Sequence, residues 1–147
     1  MQQTDIKEKT IFTLGTGLRR EEDFIEILLS YGINAVVDVR SFPHSRLPQF
    51  TRGSLEIMLP GNGIDYRFLG RELGGLRKGG FAAYTDTEDF RQGIDLLETI
   101  ANKKTSVIIC AEHFPWKCHR KWIARELHKR GWIVEHIIDK GKVWVPK

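Results

Sequence analysis

Between Thr10 and Val39 the chain runs from a short apolar stretch through a helix-period segment to a second apolar stretch, and few folds accept that order. Thr10 to Leu14 reads as a strand ended by Gly15-Thr16-Gly17. From Arg20 to Tyr31 the apolar residues Phe24, Ile27, Leu28 and Tyr31 fall at i, i+3, i+4 and i+7, which is one face of a helix. Glu21, Glu22 and Asp23 occupy its first turn, where the helix dipole favours acids, and Gly32 stops it. Asn34 to Val39 is a β-branched apolar run of the kind buried on both sheet faces. Strand, helix and strand within about thirty residues make a βαβ unit. Such a unit requires a parallel pair with a helix laid over it.

The remainder repeats the alternation. Residues 41–53 hold two prolines and a glycine among polar groups and read as a loop. Leu55 to Leu59 is a short helix, broken by Pro60-Gly61-Asn62-Gly63, and Asp65 to Leu69 is a third strand. Residues 70–86, glycine-rich through Gly80, are expected to form a long mobile functional loop. A helix over Thr87–Ala101 turns Phe90, Ile94, Leu97 and Ile100 inward. The strand Thr105–Cys110, a helix over Cys118–Arg130 stopped by Gly131, and a last strand Trp132–Ile138 complete the pattern. This predicts an α/β fold with a mostly parallel central sheet of about five strands and helices on both faces. A chain of 147 residues, 41% hydrophobic and 29% charged, forms such a sheet as one domain, 1–147.

The longest apolar run, Val107 to Ala111, is far too short to span a membrane, and the polar start Met1–Lys9 is unlike a secretory signal. Two cysteines make no disulfide framework, so a reducing, cytoplasmic setting is expected. The net charge of +4 is unevenly spread: residues 40–80 balance at +4 and residues 117–130 at +5, leaving −5 elsewhere. Two basic segments on a near-neutral body point to a local anion site or to solvated surface charge.

Open parallel sheets place ligands at the carboxyl ends of their strands. Cys110-Ala-Glu112-His113-Phe-Pro-Trp116-Lys-Cys118-His119-Arg120 lies there, gathering thiols, a carboxylate, imidazoles and a guanidinium. Arg120 sits at a helix start, where a cation opposes the dipole but joins free backbone N–H groups as an anion receptor. Cys110 has three readings: a small core residue, a thiolate nucleophile facing a helix N-terminus, or a metal ligand beside His113 and Cys118. Adjacent Cys118 and His119 diverge on a helix, which argues against metal. Trp116 stands where Cys-x5-Arg needs arginine, which argues against a phosphatase loop. The nucleophile reading makes Cys110 partly thiolate near neutral pH, with Cys118, at a helix start but not at a strand end, as the internal control. Asp38 and Arg40 share a strand face and pair there, or act in the site. Glu112 and His119 are acid–base candidates, whereas His44, His128 and His136 have no evident partners. Gly15-Thr-Gly17 lacks the rest of a dinucleotide fingerprint, so no cofactor is assigned. Phe42, Phe50, Tyr66, Phe68 and Tyr84 lie among the arginines of the first basic segment, an arrangement able to stack a base.

Three motifs in order carry a resemblance. Val37-Asp38-Val39-Arg40-Ser41-Phe42-Pro43 with Ser45-Arg46 and Gln49-Phe50, then Leu73-Gly74-Gly75, then Cys110-Ala-Glu112 with Cys118-His119-Arg120 resemble the DUF488 family over roughly Phe12 to Ile137. The resemblance implies that Asp38, Arg40, Arg46, Cys110, Glu112, Cys118, His119 and Arg120 are characteristic positions. It implies no activity. Where relatives usually carry Ile-Gly-His-Ser after the first strand, this chain has Thr16 in place of the imidazole.

The leading expectation is an enzyme acting on a phosphate-bearing small molecule or nucleotide. Arg40, Arg46 and Arg120 would bind the anion, and Cys110, Glu112 or His119 would do the chemistry. Asp38 and Cys118 would orient the site. The alternatives are a nucleic-acid-binding module using segments 40–80 and 117–130, and a thiol redox or metal sensor using Cys110 and Cys118.

Overall fold

In the computed structural model, which describes residues 9–42 and 45–146, six strands form one sheet. They are β1 (Thr10–Gly15), β2 (Ala35–Asp38), β3 (Asp65–Phe68), β4 (Ser106–Cys110), β5 (Ile133–Asp139) and β6 (Lys142–Trp144), in the order β3-β2-β4-β1-β5-β6. All neighbours are parallel except β5 and β6. The five expected strands are present, and β6 adds a sixth through a tight return at Gly141, whose φ of +75° suits a residue without a Cβ.

Side-chain parity divides the core in two. On one face Phe24, Ile27 and Leu28 of α1 (Glu21–Ser30) and Leu55 and Leu59 of α2 (Arg52–Gly61) meet Leu14, Val36, Val107, Ile109 and Ile137. On the other, Ile11, Val37, Ile108 and Val134 meet α3 (Gly70–Leu73), α4 (Phe81–Tyr84), α5 (Glu88–Lys103) and α6 (Arg120–Lys129). The helix boundaries follow their caps. Thr51 and Thr87 accept the N–H groups of Ser54 and Phe90 and so start α2 and α5. Pro60 falls in the last, exposed turn of α2, where it removes only one bond, and the helix continues to Gly61.

The segment 70–86 is a correction to the sequence reading. It holds α3 and α4, and it is anchored by buried Leu73 and Phe81. Its first glycines serve close approach: a Cβ on Gly74 would strike the Ser41 side chain, and one on Gly75 would meet the His119 ring at 2.8 Å. The last helix begins at Arg120 and not at Cys118, because a 3-10 turn at Pro115–Lys117 first lifts the chain off the sheet.

Candidate functional site

The carboxyl ends of β2, β4 and β1 lie side by side, and the chain leaving β4 stays against β1. Thr16 and Gly17 donate their N–H groups to the carbonyls of Cys110 and Ala111 at 2.8 and 3.0 Å. This approach requires Gly15, since a Cβ there would overlap the Glu112 carbonyl. The 3-10 turn then carries the backbone back, bringing Cys118 over Cys110 with the two sulfurs 3.2 Å apart. Neither is in a disulfide.

Beside them lies Arg120, a guanidinium with no exposure to solvent. Its Nε donates to Cys118 Sγ at 3.2 Å, and its backbone N–H reaches the same sulfur at 3.3 Å. Nη1 donates to Thr13 Oγ1 at 3.1 Å, and Nη2 to the carbonyls of Glu112 and His113 at 2.6 and 3.2 Å. A carboxylate partner for Arg120 is missing among the described residues. The sulfur of Cys118 accepts the Nε–H and backbone N–H groups of Arg120 at the first turn of α6. Hydrogen bonding from the Cys110 thiol and the Arg120 charge hold Cys118 far below the ordinary thiol range. That same bond and burial push Cys110 well above it. Cys110 also faces the Glu112 carbonyl at 3.7 Å, an acceptor that favours an S–H. The donors around the two sulfurs are unequal. Two N–H donors converge on Cys118, and none reaches Cys110.

A second line of contacts runs from Arg120 beneath the helix. Thr13 is buried and its Oγ1 accepts from Arg120; His136 Nδ1, 2.6 Å away, is the one acceptor its hydroxyl hydrogen meets among the described residues, so that hydrogen goes to Nδ1. Burial and the nearby Arg120 charge lower the His136 pKa to about 4, keeping the ring neutral. His119 donates from Nε2 to the Val39 carbonyl at 2.7 Å and lies edge-on against Phe81.

Asp38 and Arg40 form a bidentate pair on the α1–α2 side of the sheet, opposite the cysteines. Arg40 Nε and Nη2 reach the two carboxylate oxygens at 2.9 and 2.7 Å, and Nη1 donates to the Phe50 carbonyl at 2.6 Å. Tyr66 adds a 2.6 Å hydroxyl bond to Asp38, and burial with that carboxylate raises its pKa. Arg40 and Arg120 thus have their donors engaged with protein atoms, and Arg46 is exposed away from the cysteines. His44 and Pro43 lie outside the described residues.

A cavity of about 680 Å³ opens over the sulfurs, lined by Arg40, Phe42, Leu76, Glu112, Lys117, Cys118, His119 and Lys121. Its freely accessible cations are the exposed Lys117 and Lys121. Glu112 is half-buried and accepts the Phe114 N–H at 3.4 Å, with its carboxylate beside the opening. No three His, Cys, Asp or Glu side chains among the described residues gather as metal ligands would. No described helix is long and apolar enough to cross a membrane.

Sequence reasoning missed Thr13, His136 and Tyr66. The signal for the first two was register: Thr13 on β1 pairs with His136 on β5, so their side chains share the face that Arg120 enters. Of the aromatics in the first basic segment, Phe50 is core, Tyr66 bonds Asp38, and Phe68 and Tyr84 lie under Arg52 and Arg77. Phe42 is the exposed one.

No curated protein and no solved structure matches the chain. A family model does, over residues 20–127, from the start of α1 through most of α6 and across Asp38, Arg40 and both cysteines. With most of its length matched, the chain belongs to the family described as domain of unknown function DUF488.

Proposed function

We propose that the protein is a thiol-dependent enzyme that performs thiol–disulfide exchange on a small anionic substrate, with Cys118 as nucleophile and Cys110 as the resolving thiol. The observation that carries this reading is the buried guanidinium of Arg120, whose counter-charge is a cysteine sulfur 3.2 Å from a second cysteine. A thiolate is the attacking form, and of the two cysteines lining the cavity Cys118 is half-buried and the more accessible, while Cys110 is buried. Cys118 attacks one sulfur of a substrate disulfide, forming a mixed disulfide and releasing one substrate thiolate. Cys110 then gives up its proton and attacks Cys118 Sγ, closing the protein disulfide and releasing the second thiolate. An external thiol reverses both steps. Lys117 and Lys121 provide the accessible charge for an anionic group on the substrate, the place where a phosphate or carboxylate would be held.

This reading is preferred to a nucleic-acid module because four of the five aromatics of the first basic segment are engaged with the core, Asp38 or an arginine, leaving Phe42 alone exposed to stack. It is tested by mapping iodoacetamide modification at pH 6. Cys118 should react while Cys110 does not, and the Cys118→Ser variant should leave Cys110 inert until unfolding. Oxidised glutathione, which carries carboxylates, should give an intact chain lighter by two hydrogens. Preferential labelling of Cys110, or a mixed disulfide that never resolves, sinks the reading.

A further inference from the structure

A second cavity, of about 590 Å³, lies on the far side of the first turns of α6, between that helix and the β5–β6 hairpin. We propose that this groove binds a small anion carrying a flat heteroaromatic ring, a nucleoside monophosphate being the simplest molecule of that chemistry.

Three observations carry the proposal. The first is His136, which is 1% exposed and lines the groove. Its Nδ1 is occupied by the Thr13 hydroxyl, so the neutral ring carries its hydrogen on Nε2. Nε2 makes no hydrogen bond among the described residues, yet no fully buried polar side-chain atom among them lacks a partner. Nε2–H therefore reaches the groove surface as a fixed, unused donor. The second is aromatic. Trp144 stacks on the His136 ring at 5.3 Å and meets Trp116 edge-on at 5.3 Å, while both indoles remain more than two-fifths exposed. Exposed indole faces of this kind are platforms for a planar ring. The third is charge. Lys121 and Arg125, one helical turn apart, border the groove, are exposed, and make no ion pair among the described residues. Ring, acceptor and anion thus each meet a matching group, in a volume within the roughly 300–1,000 Å³ range of small-ligand sites. The groove is separate from the thiolate cavity, sharing only Lys121 with it.

The test is calorimetric titration of the full chain with adenosine monophosphate, adenosine and inorganic phosphate. One monophosphate should bind per chain, at least tenfold tighter than adenosine or phosphate alone. Arg125→Ala and Trp144→Ala change exposed side chains and should each weaken it at least fivefold. His136→Phe, which fills the same space without the donor, should weaken it as well. Three results would overturn the proposal: no heat with adenosine, guanosine, cytidine or uridine monophosphate up to millimolar concentration; equal binding of phosphate alone; or binding of a mixed-sequence oligonucleotide only. If the monophosphate shields Cys118 from alkylation and Arg125→Ala binds it normally, the ligand occupies the thiolate cavity and the groove assignment is wrong.

Discussion

Arg40 and Arg120 are both buried, and each meets a different set of acceptors. Arg40 faces a carboxylate in bidentate geometry, with a phenol and a carbonyl satisfying the remaining valences. Arg120 faces a sulfur, a hydroxyl and two carbonyls. Removing one member of a buried ion pair strands the other, at about 3–5 kcal/mol, whereas replacing both by apolar groups is nearly neutral. Asp38→Ala should therefore lower the unfolding free energy by about that amount, and Asp38→Leu with Arg40→Met should recover most of it in urea titrations. A double variant as unstable as Asp38→Ala would mean that the pair has further partners. In Cys118→Ala the same logic applies to Arg120, so that variant should lose stability as well as its reactive thiol.

Elements decide how far the site could be read in advance. The strands that reach it, and their parallel order, follow from apolar runs and helix periods, so the rim where β2, β4 and β1 end was legible. Asp38 beside Arg40 was legible too, because alternation along a strand places them together. What escaped depends on where elements sit over one another. Nothing local in the sequence says that the 3-10 turn at Pro115–Lys117 will return Cys118 above Cys110, and that fold-back puts the second cysteine against Arg120. Likewise Gly70, Gly74 and Gly75 read as freedom when they are contacts, since a missing Cβ looks the same in a mobile loop and in a tight one. Gly15 is the sharpest case. Gly15→Ala should push the Glu112 carbonyl off Arg120 and cost about 1–3 kcal/mol, the range for overpacked sites. Thermal unfolding measures the loss, and a melting temperature equal to wild type would show that the loop yields freely.

At the scale of the whole molecule the cysteine pair couples ionisation to folding. Cys118 has a depressed pKa in the fold, so its contribution is complete above the unfolded thiol value of about 8.5 and is lost as pH falls toward its folded value. Cys110 is shifted upward, so its contribution is complete below that same unfolded value and is lost as pH rises through its folded value. The difference in stability between wild type and a Cys110→Ser, Cys118→Ser variant should thus peak near the ordinary thiol pKa. On the acid side it should change by at most about 1.4 kcal/mol per pH unit. Denaturant titrations from pH 5 to 10 would trace it, and a difference independent of pH would exclude the thiolate. The Arg120 setting also fixes a direction for electron flow. Closing a bond between the two sulfurs takes away the anion that faces a guanidinium sealed from water, so the dithiol is the stabilised member of the couple. Its reduction potential should then lie toward the oxidising end of protein dithiols, and the disulfide form should pass oxidation on more readily than it holds it.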